Sequence, residues 1–292
     1  MGRGLHRESV EIINATIGLL EDIRPTTVRS VCYQLFTRGL IANMGKNETA
    51  KVSRLLTRAR EHGHIPWGWI VDETRAVEQA AQWNDGIDFI DSVTSQYRKD
   101  YWQDQPYHVE VISEKGTVRG VLAGVLDEFG VPFRVMHGFA SATAAKDMAD
   151  AIASRDKPSV LLYVGDYDPS GLYMSEVDLR ERLNRYGAEH GFALLRVALD
   201  EQDVNAGDLP SFPADAKRSD ARHAWFTRNY GQQCWELDAM NPNDLRARVR
   251  DSILEYLEIN AWDHMVEIER VEQASMQKFM GEWRRVLSGG DA

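Results

Sequence analysis

The sequence predicts an α/β protein with a helical front end and a helical tail. Three observations carry that expectation. Between residues 107 and 198, short apolar β-prone runs alternate with segments of helical period, the pattern of a parallel sheet. Ahead of it, over 9–59, three stretches repeat apolar residues every three or four positions. Behind it, two further helical stretches cover roughly 243–258 and 263–287.

In chain order, Val10, Ile13, Ile17 and Leu20 define a first helix over 9–23, and Arg24-Pro25-Thr26-Thr27 breaks it and offers a cap for the next. Val28, Val31, Cys32, Leu35 and Phe36 share one face of a second helix, which Gly39 ends. Asn47 reads as the cap of a third helix with Val52, Leu55, Leu56 and Ala59 inward. Lys51, Arg54 and Arg58 form a separate basic stripe on that helix, suited to phosphate contact or to a solvated face. The run from His64 to Val71 is short and β-prone. Three helices followed by a small hairpin make a winged helix-turn-helix arrangement, whose third helix enters a groove of DNA. Residues 1–75 are therefore one expected domain, and 76–105 a connecting helix and loop. The α/β domain over 106–215 takes strands at 107–113, 131–136, 159–164 and 192–198. Helices run from the region of Val118, over 142–153 and over 171–186, and 199–216 is a loop. Residues 216–292 make a helical extension of that α/β domain.

Composition narrows the class. The chain has 292 residues, 43% hydrophobic and 27% charged, which is ordinary globular material. No run is long and apolar enough to span a bilayer, and the first residues lack an apolar signal region, so a cytoplasmic protein without a membrane partner is expected. Cys32 and Cys234 alone make neither a zinc pattern nor a disulfide framework. The net charge of −11 is uneven: residues 1–75 carry 11 Lys and Arg against 8 Asp and Glu, a net of +3, which leaves −14 for the rest. A slightly basic front end on an acidic body is compatible with local DNA contact.

Chemistry concentrates at two strand ends. Val109 to Ile112 leads into Ser113-Glu114-Lys115-Gly116, and Val160 to Val164 leads into Gly165-Asp166-Tyr167-Asp168-Pro169-Ser170-Gly171. In an open parallel sheet ligands sit beyond the carboxyl ends of the strands. Glu114, Asp166 and Asp168 are thus delivered to one edge, where three carboxylates suit Mg²⁺. Close like charges repel, so such a cluster either titrates abnormally or holds a cation. The plainer alternative makes the aspartates helix caps. Glu236 and Asp238 repeat the alternate acidic spacing. They read as structural, pairing with Arg222 or Lys217.

On these residues the central unit resembles the Toprim fold of topoisomerases, bacterial primases and some nucleases. Gly165 to Gly171 is similar to the Asp-x-Asp-Pro-x-Gly of the A subunit of type IIB topoisomerases and of the related meiotic double-strand-break transesterase. That family sets a winged helix ahead of its Toprim unit, with a nucleophilic tyrosine in Arg-x-x-x-Tyr. Here Arg29 and Tyr33 stand four apart, neighbours on one helix face beside the apolar stripe, which puts the phenol at a rim. Cys32 occupies the place where the family often has an aromatic residue. The resemblance covers roughly 8–200. In length, the whole chain looks most like the Mini-A proteins, stand-alone relatives of that A subunit found with phages and mobile elements. It implies Tyr33 attack on double-stranded DNA to give a 5′-phosphotyrosyl link, with Arg29 assisting and Mg²⁺ on Glu114, Asp166 and Asp168. It also implies a homodimer in which Tyr33 of one chain meets the metal edge of another, in the cytoplasm near nucleoid or phage DNA. The sequence has no Gly-x-x-x-x-Gly-Lys-Ser/Thr loop, so strand passage would call on an ATPase B-type subunit. Two rivals stay open: a hydrolytic Toprim nuclease in which Tyr33 is structural, and a non-catalytic winged-helix DNA-binding protein.

Overall fold

The computed structural model describes residues 7–71, 80–136, 142–189 and 191–287, which fall into two units. One joins Met1–Glu73 to His108–Glu255, and the other joins Thr74–Tyr107 to Tyr256–Ala292. This differs from the linear order read from sequence. The expected linker joins 256–292 in a unit of its own, so of the expected extension only 216–255 goes with the sheet.

The chain opens with α1 (Arg7–Ile23), β1 (Thr26–Thr27), α2 (Val28–Thr37), α3 (Lys46–Glu61) and β2 (Ile70–Val71). Ile12, Leu20, Ile23, Val31, Cys32, Leu35, Val52, Leu56 and Ile65 are each at most 1% exposed and close a small core between the helices. Each such aliphatic side chain contributes roughly 1.5–3 kcal/mol by leaving water. Thr27 caps α2, its hydroxyl accepting from Ser30 N at 2.9 Å. For α3 the expected cap moves: Gly45, in extended backbone, precedes Lys46, and Asn47 lies inside the helix. The expected hairpin over 64–71 also changes. Trp67–Trp69 form a 3-10 turn, and β2 pairs in parallel with β1, Thr26 opposite Ile70. A second hairpin strand would fall on 72–79, outside the described residues.

Next come α4 (Gly86–Gln96) and the sheet elements β3 (His108–Ser113), α5 (Thr117–Phe129), β4 (Phe133–Val135), α6 (Ala142–Ala153) and β5 (Ser159–Val164). A helix follows as α7 (Pro169–Tyr173) and α8 (Leu179–Leu183), with π turns at Met174–Asp178 and Asn184–Ala188, before β6 (Phe192–Ala198). All four sheet strands run parallel in the order β4-β3-β5-β6. Ile112, Leu161, Tyr163 and Leu194 pack on one face against Met148, Ile152, Leu179 and Leu183. Val109, Val111, Val160, Leu162 and Val164 point the other way and are at most 2% exposed. Burial on both faces is what makes these strands continuous apolar runs.

The region expected to be a loop after β6 contains α9 (Glu201–Ala206), because Asp200 and Asp203 close a reciprocal capping box. Then come β7 (Phe212–Pro213), α10 (His223–Asn229), β8 (Gln233–Cys234), α11 (Pro242–Leu254) and α12 (Ile259–Leu287). β7 and β8 pair antiparallel, and α11 packs on α5. The second unit pairs α4 with α12, tied by Lys99 N donating to Glu269 at 2.7 Å and by the Arg284–Asp91 ion pair. Among the described residues no helix is long and apolar enough to cross a membrane.

Candidate functional site

The sheet reverses its winding between β3 and β5. From β3 the chain crosses to β4 on one side, and from β5 it crosses to β6 on the other. A crevice opens at the carboxyl ends of strands at such a switch point. Glu114 follows β3 there, and Asp166 and Asp168 follow β5. Two glycines shape the turn. A Cβ on Gly165 would lie 2.7 Å from the Tyr163 ring, and one on Gly171 would run into the Asp166 carbonyl oxygen. Asp168 Oδ1 accepts from Gly171 N at 2.7 Å, so this aspartate caps α7 as well as facing the edge. Tyr167 and Trp235 exchange backbone hydrogen bonds of 2.9 and 3.0 Å, which lays residues 236–238 beside the same edge.

Two lysines lie among the acids. Lys115 Nζ stands 2.8 Å from Asp166 Oδ1 and 3.1 Å from Asp238 Oδ2, and Lys217 pairs with Asp168. Leu237 N adds a 2.8 Å bond to Asp166 Oδ1. Asp166 and Asp168 are 5% and 1% exposed, so these partners offset a large desolvation cost. Burial opposes the charge on Lys115, but Asp166 and Asp238 raise its pKa. Asp168 does the same for Lys217. Among the described residues Glu114 has no comparable partner. Burial, and then the negative charges of Asp166 and Asp168, push its carboxyl up to about 7.

Glu236 and Asp238 do not pair as the sequence suggested. Arg222 pairs with Asp220 at 2.9 Å and Lys217 with Asp168. Asp238 instead accepts from Thr27 Oγ1 at 2.5 Å and from Lys115. Glu236 receives Nε and Nη2 of Arg29, one on each carboxylate oxygen.

These contacts bind α2 to the acidic edge. Leu237–Ala239 forms a 3-10 turn that packs on α2, so the helix is covered on a second side. Tyr33 is consequently 3% exposed, where the sequence placed it at a rim. Its ring centre lies 5.8 Å from the Arg29 guanidinium. Burial, then the charge of Glu236, hold the phenol's pKa above its ordinary value, while Arg29 opposes them. The residue lines a cavity of about 450 Å³ with Met44, Phe212 and Lys217. Arg29, Tyr33 and the acids therefore belong to one compact unit of a single chain, where the resemblance implied that Tyr33 meets the metal edge of another. Of the basic stripe, Arg54 and Arg58 are exposed, and Lys51 is joined to Glu8 at 2.6 Å.

The donor set suits a hard divalent cation in kind: carboxylate oxygens, two of them on Glu114, whose charged form burial and the neighbouring acids disfavour. Tyr163 Oη, buried without a hydrogen bond, lies in the field of the same three acids. The acids are not gathered into a ready ligand shell. Among the described residues no three His, Cys, Asp or Glu side chains stand together as a metal-holding group. Lys115 and Lys217 supply the counter-charge, and a cation would take over their part.

Sequence reasoning missed Lys115 and the role of Glu236, and assigned Lys217 to Glu236 or Asp238 where it pairs with Asp168. The signal for Lys115 was its place directly after Glu114; nothing local announced that Glu236 would meet a residue 207 positions earlier. Comparison with models of known protein families and with curated proteins finds no match.

Proposed function

We propose that this chain is a DNA-cleaving transesterase resembling the A subunit of type IIB topoisomerases and its Mini-A relatives, with Tyr33 as nucleophile. One observation supports this above the others. α2 carries Arg29 to the edge where β3 and β5 deliver Glu114, Asp166 and Asp168, with Tyr33 in the adjoining cavity, all within one unit. The phenol oxygen attacks a backbone phosphorus. The new bond is Tyr33 Oη–P, the bond broken is P–O3′, and the phenolic proton ends on the leaving 3′ oxygen. Arg29 carries two forked donors to the charge that builds on phosphorus oxygens. Lys115 and Lys217 add positive charge at the same edge, and Pro169 and Gly171 hold the turn that fixes Asp166 and Asp168. Mg²⁺ held by Glu114, Asp166 and Asp168 would supply charge neutralisation at the non-bridging oxygens. Arg54 and Arg58, with Lys51 once it leaves Glu8, suit duplex phosphates. Cutting both strands calls for a two-fold homodimer, and strand passage for an ATPase partner. The setting proposed is the cytoplasm, close to nucleoid or phage DNA.

The burial of Tyr33 favours a second reading, a hydrolytic Toprim nuclease in which the phenol only packs. The deciding experiment incubates the protein with supercoiled DNA and Mg²⁺, denatures it, and looks for a covalent protein–DNA adduct. An adduct absent from Tyr33→Phe supports the transesterase. Cutting by Tyr33→Phe without an adduct transfers the case to the nuclease. DNA binding without cutting leaves a DNA-binding protein.

A further inference from the structure

Arg29 and Glu236 line two cavities at once. One, of about 440 Å³, also contains Thr27, Lys115, Thr117 and Asp166. The other, of about 450 Å³, contains Tyr33, Phe212 and Lys217. The ion pair is part of the wall of both.

The Glu236 carboxylate is held as an anion in a bound site is held. Both its oxygens accept from the Arg29 fork, the geometry by which arginine grips carboxylates and phosphates alike. Its charge also acts on Lys115, Lys217 and the Tyr33 phenol. Beyond its Arg29 partner, this carboxylate supplied by the chain itself thus lies within electrostatic reach of Lys115 and Lys217, which pair with Asp166, Asp238 and Asp168, and of the Tyr33 phenol. A structural salt bridge has no need of that company.

We propose that Glu236 occupies the seat of a phosphodiester, so that the chain as seen here is blocked by its own pseudo-substrate. The inference rests on the transesterase reading for the identity of the ligand, and on the Arg29 fork and the shared cavities for the seat. DNA enters when a phosphate displaces the carboxylate. Because the seat is filled most of the time, the apparent affinity for DNA is lowered by the fraction of molecules that are open.

The test measures binding of a fluorescent DNA duplex in EDTA, where nothing is cut. Glu236→Gln keeps the shape and removes the charge, and it is expected to bind about tenfold or more tightly than wild type, the gain of a seat open about one-tenth of the time. Glu181→Gln, an exposed acid on α8, makes the same change in net charge and is expected to gain far less. Inorganic phosphate should raise the melting temperature of Glu236→Gln more than that of wild type. Equal affinities, or equal gains from the two variants, overturn the proposal. Should Glu236→Gln fail to fold, Arg29→Gln decides: the stabilisation of wild type by phosphate disappears with the seat's cation, and its persistence overturns the proposal. The two readings separate cleanly. A tighter Glu236→Gln with no tyrosyl adduct keeps the seat and removes the transesterase. An adduct in wild type with no gain in Glu236→Gln does the reverse.

Discussion

Glu114→Gln should stabilise the metal-free protein, increasingly so as pH rises from 4.5 through about 7. The carboxyl of Glu114 is raised from the ordinary 4.5 to about 7 by burial and by Asp166 and Asp168. A raised carboxyl means that the folded state binds a proton more tightly than the unfolded state. Its contribution is fully present below pH 4.5 and is lost as pH climbs through about 7. At roughly 1.4 kcal/mol for each tenfold change in proton affinity, the ceiling is about 3 kcal/mol. Glu114 keeps some contact with solvent, whose screening brings the expected gain to about 1–2 kcal/mol. For a unit of this size that is a rise of about 2–8 °C in melting temperature. Thermal unfolding in EDTA at pH 5 and pH 8 measures it. The gain should be largest at pH 8 and clearly smaller at pH 5, fading out only below 4.5. Equal or lower stability at pH 8, or the same gain at both values, would refute the claim that like charges crowd this edge.

Other substitutions probe the parts separately. Lys217→Ala removes the partner of the fully buried Asp168 and should cost about 3 kcal/mol in urea unfolding in EDTA, with Mg²⁺ restoring more stability to the variant than it adds to wild type. Gly171→Ala forces its Cβ against the Asp166 carbonyl, so a loss of about 1–3 kcal/mol is expected, together with weaker Mg²⁺ binding by calorimetry. Arg54→Gln and Arg58→Gln leave stability within about 0.5 kcal/mol and each lower the salt slope of DNA binding by about 1, which titration at several salt concentrations would reveal.

The parallel sheet and the acids at its carboxyl edge were legible because both obey local rules. Apolar runs buried on two faces spell out β3 and β5, and parallel strands release their next residues at a common edge. The helical front end was legible from its 3.6-residue period. Its attachment was not. Periodicity marks Val31, Cys32 and Leu35 as one buried stripe and leaves Tyr33 beside it. The second covering of α2 comes from residues more than 200 positions away. Long-range pairing of this kind leaves no period to read. The same blindness hid the partners of Glu236 and Asp238, whose alternate spacing was visible while their targets, Arg29 and Lys115, were not. α9 was a different kind of miss, since Asp200-x-x-Asp203 is a capping signature that could have announced a helix inside an apparent loop.

The central claim is that one phenol, on a helix held against the acidic edge of the sheet, becomes joined to DNA. The most direct measurement is mass spectrometry of the denatured, nuclease-trimmed product of wild-type protein, duplex DNA and Mg²⁺. A nucleotide is expected on the peptide containing Tyr33 and on no other. Cleaved DNA with every tyrosine unmodified would contradict it.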